Sequence, residues 1–153
     1  AGLRRSEAVA LEVRDVATDG RAVTVRRSKN KKGRRVPLGE ASAAAVGDFI
    51  RRLSDPGYVI RRISRGDRIE RGGISGEAVR KRLARLTKLA GLDRVSPHDC
   101  RRTYCGALLE VGVDLAVVSR LLGHGSLQVT AGYDKRGEIA EAEAANLIRF
   151  PYG

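Results

Sequence analysis

Ser96-Pro97-His98-Asp99-Cys100-Arg101-Arg102, running on through Tyr104 to Val111, decides how the second half of this chain folds. Ser96 is suited to cap a helix, Pro97 to its first position and Asp99 to its third. Tyr104, Ala107, Leu108 and Val111 then recur at helical spacing. Asp114 caps a further helix over 115–122, which Gly123 ends. Ser126 caps another short helix, expected to carry Tyr133. Gly137 breaks the chain, and residues 138–148 read as a last helix with Ile139, Ala142, Ala145 and Ile148 on one face.

Upstream, strand mixes with helix. Residues 4–14 read as a short helix, and Asp19-Gly20 as a turn. Residues 21–27 alternate as a strand, and a second strand ends at Pro37. Between them lies Ser28-Lys29-Asn30-Lys31-Lys32-Gly33, the basic tip of a β-hairpin. Ala41, Ala44, Ala45, Phe49 and Leu53 recur at helical spacing until Asp55-Pro56-Gly57 interrupts. Tyr58 to Ile63 and Arg68 to Glu70 pattern as a second small hairpin. Ser75 caps a long basic helix reaching about Ala90. Val79, Leu83, Leu86 and Leu89 form its apolar stripe, with Arg80, Lys81, Arg82, Arg85 and Lys88 around it. The expected class is α+β, mainly helical, with a small hairpin or sheet at one edge.

At 153 residues the chain is long enough for one domain with a real core. Only 4% of it is aromatic against 42% hydrophobic, so that core must be built from Leu, Val, Ile and Ala. The formal net charge is +12, with 30 Lys plus Arg against 18 Asp plus Glu. Such an excess suits a polyanion, because each phosphate neutralised releases condensed counterions. Arginine dominates the cations, and its planar fork matches phosphate oxygens. Cys100 and Cys105 fall five apart in a predicted helix, point apart and cannot bridge, as expected in a reducing cytoplasm. A zinc site from His98, Cys100, Cys105 and His124 lacks a recognisable ligand spacing, so no metal is expected. No signal peptide or long apolar run indicates export or a membrane span. The chain opens Ala1-Gly2-Leu3 without an initiator Met, and is expected to be part of something longer.

Cutting a phosphodiester without a metal requires a nucleophile, cations on the non-bridging oxygens and an acid for the leaving oxygen. Tyr133 is the candidate nucleophile, although a phenol ordinarily keeps its proton at neutral pH. Tyr58, Tyr104 and Tyr152 are expected to be packing residues. His98 and Arg101 stand three apart and share a helix face. His98 falls in the first turn, where partial positive charge favours a nearby phosphate and a histidine can accept a proton beside it. Arg101 is placed to clamp that phosphate. His124 follows a helix-ending glycine, which can turn a side chain into a cleft. Arg4, in Gly2-Leu3-Arg4-Arg5-Ser6-Glu7, is a candidate second clamp. Lys29, or its neighbours Lys31 and Lys32, offers a mobile cation to protonate a leaving 5′ oxygen. Arg5, Lys31, Lys32, Arg80 and Arg102 are further cations expected to touch a DNA backbone.

In this order the motifs resemble the catalytic domain of tyrosine recombinases, or phage-type integrases, of the Xer-like branch. Gly-Leu-Arg-Arg-Ser-Glu at 2–7 resembles the family's first arginine box, and residues 28–38 its hairpin lysine segment. Counting back from Val36-Pro37-Leu38 in that segment selects Lys29. His98-Asp-Cys-Arg101 resembles the H-x-x-R box and Leu-Leu-Gly-His124 the second histidine motif. Tyr133 has the family's spacing from His124.

The resemblance implies the tyrosine-recombinase catalytic fold and site-specific DNA recombination through a 3′-phosphotyrosyl link, without ATP, metal or cofactor. It implies Tyr133 as nucleophile, Arg4, Arg101 and His124 as transition-state stabilisers, Lys29 as general acid and His98 as general base. It further implies double-stranded DNA as partner, a homotetramer on two duplexes, a cytoplasmic setting at the nucleoid and a prokaryotic or phage source. The last helix, 138–148, is expected to pack into a neighbouring protomer or on its own core. The family's N-terminal core-binding domain is missing from residues 1–153, so this domain alone is expected to bind DNA weakly. Two other readings remain open. One is a type IB topoisomerase. The other is a non-catalytic module in which Asp114 to Tyr133 forms a helix-turn-helix.

Overall fold

The computed structural model describes residues 1–26, 33–134 and 136–137. Among them run α1 (Arg5–Val9), β1 (Ala22–Val25), β2 (Arg34–Pro37), α2 (Glu40–Arg51), α3 (Gly76–Leu89), α4 (Pro97–Glu110), α5 (Leu115–Leu122) and α6 (Leu127–Ala131). A 3₁₀ turn, Val13–Asp15, separates α1 from β1. This is the expected mainly helical α+β architecture with one small hairpin.

β1 and β2 pair antiparallel, with Val23 opposite Val36 and Val25 opposite Arg34. Alternation sends Val23, Val25 and Val36 inward and leaves Thr24 and Arg35 exposed. Leu11 and Val59 complete that cluster. A second cluster, Cys105, Leu109, Val118 and Leu122, lies between α4 and α5, with Tyr104, Leu108 and Tyr133 packed against it. Each fully buried Val or Leu contributes about 1.5–3 kcal/mol. No described helix is long and apolar enough to cross a membrane.

Several sequence expectations change. The helix expected over 4–14 stops at Val9. Beyond it the chain extends to meet residues 57–59: Val13 N–H donates to the Gly57 carbonyl at 3.0 Å, and Val59 N–H to that of Leu11 at 2.8 Å. The second hairpin reduces to a single bridge between Ile63 and Ile69, and Tyr58 pairs with Glu12. In α2 the inner face is Ala43, Val46, Gly47, Phe49 and Ile50, whereas Ala41, Ala44 and Ala45 face solvent.

In α3, Leu86 and Leu89 are 46% and 73% exposed, while Thr87 is buried. At the start of this helix Arg5 lies across Gly76, where a Cβ would stand 2.9 Å from Nε. In α4 the buried line is Arg101, Cys105 and Leu109, four apart each time, and Ala107 and Val111 are exposed. Tyr133 stands two residues beyond α6, in a turn after the capping Gly132. The hairpin tip with Lys29, Lys31 and Lys32, the helix expected at 138–148, and Tyr152 lie outside the described residues.

Candidate active site

Arg4 caps the N-terminus of α1 and folds onto that helix's own Glu7. Its backbone N–H donates to Glu7 Oε2 at 2.8 Å and its Nη1 to Oε1 at 2.9 Å. Its Nη2 reaches across to the Gly123 carbonyl at 2.7 Å. Arg34, at the start of β2, grips the same carboxylate with both terminal nitrogens, at 2.9 and 2.8 Å. Its Nε donates to the Leu121 carbonyl at 3.0 Å. Arg101, 4% exposed, donates to the carbonyls of Gly2 and Leu122, both at 2.6 Å. Arg4 and Arg101 thus each commit two of five N–H groups to the protein, leaving donors for an anion.

Two glycines permit this convergence. Gly2 lies at φ +60, and a Cβ there would stand 2.4 Å from the Tyr104 ring. Gly123 ends α5 in the left-handed region at φ +65, with the Arg34 guanidinium against it at 2.8 Å from a would-be Cβ. The next amide, His124 N–H, turns back to the Ser119 carbonyl at 3.0 Å, which fixes where the imidazole starts.

His124 Nδ1 sits 2.7 Å from the Thr130 hydroxyl. His98, exposed in the first turn of α4, has Nε2 3.3 Å from the Tyr133 hydroxyl. The His124 and Tyr133 rings lie 6.0 Å apart. The α4 terminus is held by a reciprocal cap, in which Ser96 N–H donates to Asp99 Oδ2 at 2.9 Å and Asp99 N–H to Ser96 Oγ at 3.3 Å. Arg4, His98, Arg101, His124 and Tyr133 therefore line one cleft of about 500 Å³.

The cleft is electropositive. Burial alone would raise the Glu7 carboxyl, but bonds from Arg34 and Arg4 overcome it and hold the group at about 2. Burial, then the charge of Arg4, brings Arg101 down to about 10, which leaves it protonated at neutral pH. Burial, then Arg101 and Arg4, lowers His124 to about 4, so its imidazole is neutral at physiological pH. Arg4, Arg34 and Arg101 carry three positive charges against one carboxylate, an imbalance a phosphate would relieve.

Arg5 and Arg80 line the same cleft. Arg80 is engaged by Glu77, at 2.8 and 2.5 Å. Arg102 lies instead on the far side of the nucleophile candidate, its guanidinium 5.6 Å from the Tyr133 ring centre. There it lines a neighbouring pocket with Asp99, Thr103 and Gly106. Of the other tyrosines, Tyr104 packs on the second cluster, and Tyr58 is 39% exposed, stacked over Gly73. Cys100 is exposed and Cys105 buried, both as free thiols. Among the described residues no three His, Cys, Asp or Glu side chains gather as metal ligands. α6 is five residues long, too short for the recognition helix that a helix-turn-helix requires.

Three residues of the site carry no assignment in the sequence reading: Glu7, Arg34 and Thr130. Glu7 had a local signal, since an Arg and a Glu three apart at a helix start form a pair. Arg34 meets partners 27 and 87 residues away and had none. Thr130 reads as an ordinary helix residue until its burial is known.

Known proteins resemble this chain along most of its length. The tyrosine recombinase XerA of Pyrococcus furiosus is 31% identical over 150 residues, covering 96% of this chain and 51% of the relative. The tyrosine recombinase XerC of Corynebacterium efficiens is 35% identical over 132 residues, covering 86% and 42%. The chain spans about half the length of the curated relatives it matches. A crystal structure of XerA recombinase superposes with a TM-score of 0.74 at 26% identity, covering 99% of this chain and 54% of that one. The Tn1549 transposon integrase, solved in complex with circular intermediate DNA, shares the fold with a TM-score of 0.78 at 19% identity, covering 96% and 56%. The phage integrase family matches residues 1–137, from before the first arginine to beyond the tyrosine, and the chain belongs to that family.

Proposed function

We propose that this chain is the catalytic domain of a tyrosine-type site-specific DNA recombinase. The observation that carries the reading is the cleft itself: two clamped guanidiniums, a neutral imidazole, and a tyrosine hydroxyl 3.3 Å from a second histidine.

Arg4 and Arg101 grip the non-bridging oxygens of the scissile phosphate, and His124 donates a hydrogen bond to one of them. The Tyr133 oxygen attacks phosphorus as His98 accepts the phenolic proton. The bond to the 5′ oxygen breaks, and that oxygen takes a proton from Lys29. The product is a 3′-phosphotyrosyl link and a free 5′-hydroxyl. Attack by the 5′-hydroxyl of another strand reverses these steps and returns the proton to Tyr133. The phosphoester bond energy is kept in the link, so neither ATP nor a metal is required. Arg5, Arg80, Lys31, Lys32 and Arg102 contact the flanking backbone. The net charge of +12 supports a duplex DNA partner, as does the DNA-bound Tn1549 integrase structure that shares the fold.

Residues 1–153 form one catalytic domain of a longer protein, which acts as a homotetramer on two duplexes at the nucleoid of a prokaryote. The test is a suicide duplex nicked beside the cleavage site, given to the protein that carries residues 1–153. A covalent adduct is expected that vanishes in Tyr133→Phe and forms about 10²–10³ more slowly in Arg101→Ala. Duplex binding without any adduct would overturn the reading in favour of a non-catalytic module. Relaxation of supercoils without exchange between sites would point to a topoisomerase.

A further inference from the structure

Thr130 is 0% exposed, and a residue so placed on α6 needs no hydroxyl for packing alone. Its Oγ1 lies 2.7 Å from His124 Nδ1, its one side-chain hydrogen-bond partner among the described residues. A hydroxyl carries one proton, and in a dry interior that proton needs an acceptor. The imidazole is neutral, so only its unprotonated nitrogen can accept. Donation from Thr130 therefore makes Nδ1 the acceptor and puts the ring hydrogen on Nε2. With Nδ1 occupied, Nε2 is the nitrogen left to face the cleft. The opposite tautomer would strand the buried Thr130 proton and turn a lone pair toward the anion. The backbone of the same residue reaches the nucleophile, since the Thr130 carbonyl accepts Tyr133 N–H at 3.0 Å.

We propose that Thr130 is a positioning residue: it locks His124 as the Nε2–H tautomer, a hydrogen donor to the phosphate, and couples that imidazole to the turn bearing Tyr133. The tautomer stands on the Thr130 contact and the neutral ring, whereas its effect on cleavage rests on the recombinase reading.

The chain has two histidines, so ¹⁵N NMR of its imidazoles resolves His124 readily. In the wild type at neutral pH, without DNA, we expect a hydrogen-bonded, unprotonated Nδ1 and a protonated Nε2. Thr130→Ser keeps this pattern. Thr130→Val, nearly the same in shape, shifts Nδ1 and lets the tautomers average. On the nicked duplex, Thr130→Val slows single-turnover cleavage about 10- to 100-fold, the scale known for losing a group that orients a metal-bound histidine, with unchanged DNA affinity, and Thr130→Ser restores most of the rate. A protonated Nδ1 in the wild type overturns the proposal without recourse to any variant. So does a Thr130→Val protein that cleaves at the wild-type rate. If the wild type shows the expected tautomer but forms no adduct, the recombinase reading fails while the tautomer lock stands.

Discussion

Glu7 is the carboxylate that Arg4 and Arg34 share, 6% exposed and bonded by both. Removing one partner of a buried pair leaves the others uncompensated. Glu7→Gln should therefore cost about 2 to 3 kcal/mol in urea unfolding at pH 7, although the two side chains are nearly the same size. The pH dependence follows from the shift. The folded Glu7 titrates at about 2, below its ordinary 4.5, so its stabilisation is complete above 4.5 and disappears as pH falls toward 2. The gap between wild type and Glu7→Gln should close over that window. His124 contributes a separate loss: its folded value of about 4 lies below the ordinary 6.5, so the unfolded chain takes up a proton first as pH falls from 6.5 to 4. That loss should persist in Glu7→Gln. A gap between the two proteins that stays constant from pH 7 down to 2 would show that Glu7 is not held as a paired carboxylate.

At the scale of elements, the caps determine where His98 stands. The Ser96–Asp99 exchange starts α4, and the Asp114 side chain starts α5 by accepting from Ala116 and Val117 N–H at 2.9 and 3.1 Å. Ser96→Ala and Asp114→Ala should each cost about 1 kcal/mol. Only the first loosens the turn that brings His98 to the Tyr133 hydroxyl, so only Ser96→Ala should also slow adduct formation. Equal cleavage rates in the two variants would dissociate the cap from the site. These caps were legible in the sequence because capping is local: Ser96, Asp114 and Ser126 each act within three residues. The faces of α2 and α3 were less legible. Leu86 and Leu89 have the right spacing for a core stripe, but the helix buries Thr87 and half-buries Val79 and Leu83, leaving those two leucines exposed. The order of Arg4, His98, Arg101, His124 and Tyr133 was readable through the family pattern, and the cleft brings all five together. What supports them was not readable, because Arg34 and Thr130 gain meaning only from partners that the fold delivers.

Across the whole molecule, the described residues hold two apolar clusters, one on the hairpin and one between α4 and α5. The cleft lies where the two halves meet, and its guanidiniums join them. Arg101 reaches back to Gly2, Arg4 reaches forward to Gly123, and Arg34 spans from Glu7 to Leu121. The Arg4 and Arg34 contacts cross by way of carbonyls at the end of α5, the same end that presents His124, and the Arg101 contact crosses by way of the Gly2 carbonyl. The charges that would bind phosphate therefore also hold the halves of the fold in register. Arg34 tests this most cleanly, because it joins the halves while being 12% exposed at its side chain. Arg34→Met keeps the length of the side chain and removes every donor. It should cost about 3 kcal/mol, as loss of one member of a buried pair does. The distribution of that cost is the sharper expectation. Hydrogen exchange should quicken both at Ala8, whose amide bonds the Arg4 carbonyl, and at His124, whose amide bonds that of Ser119. Faster exchange confined to β2 and α1, with the His124 amide still protected, would mean that the two halves are held together by packing and that Arg34 serves Glu7 alone.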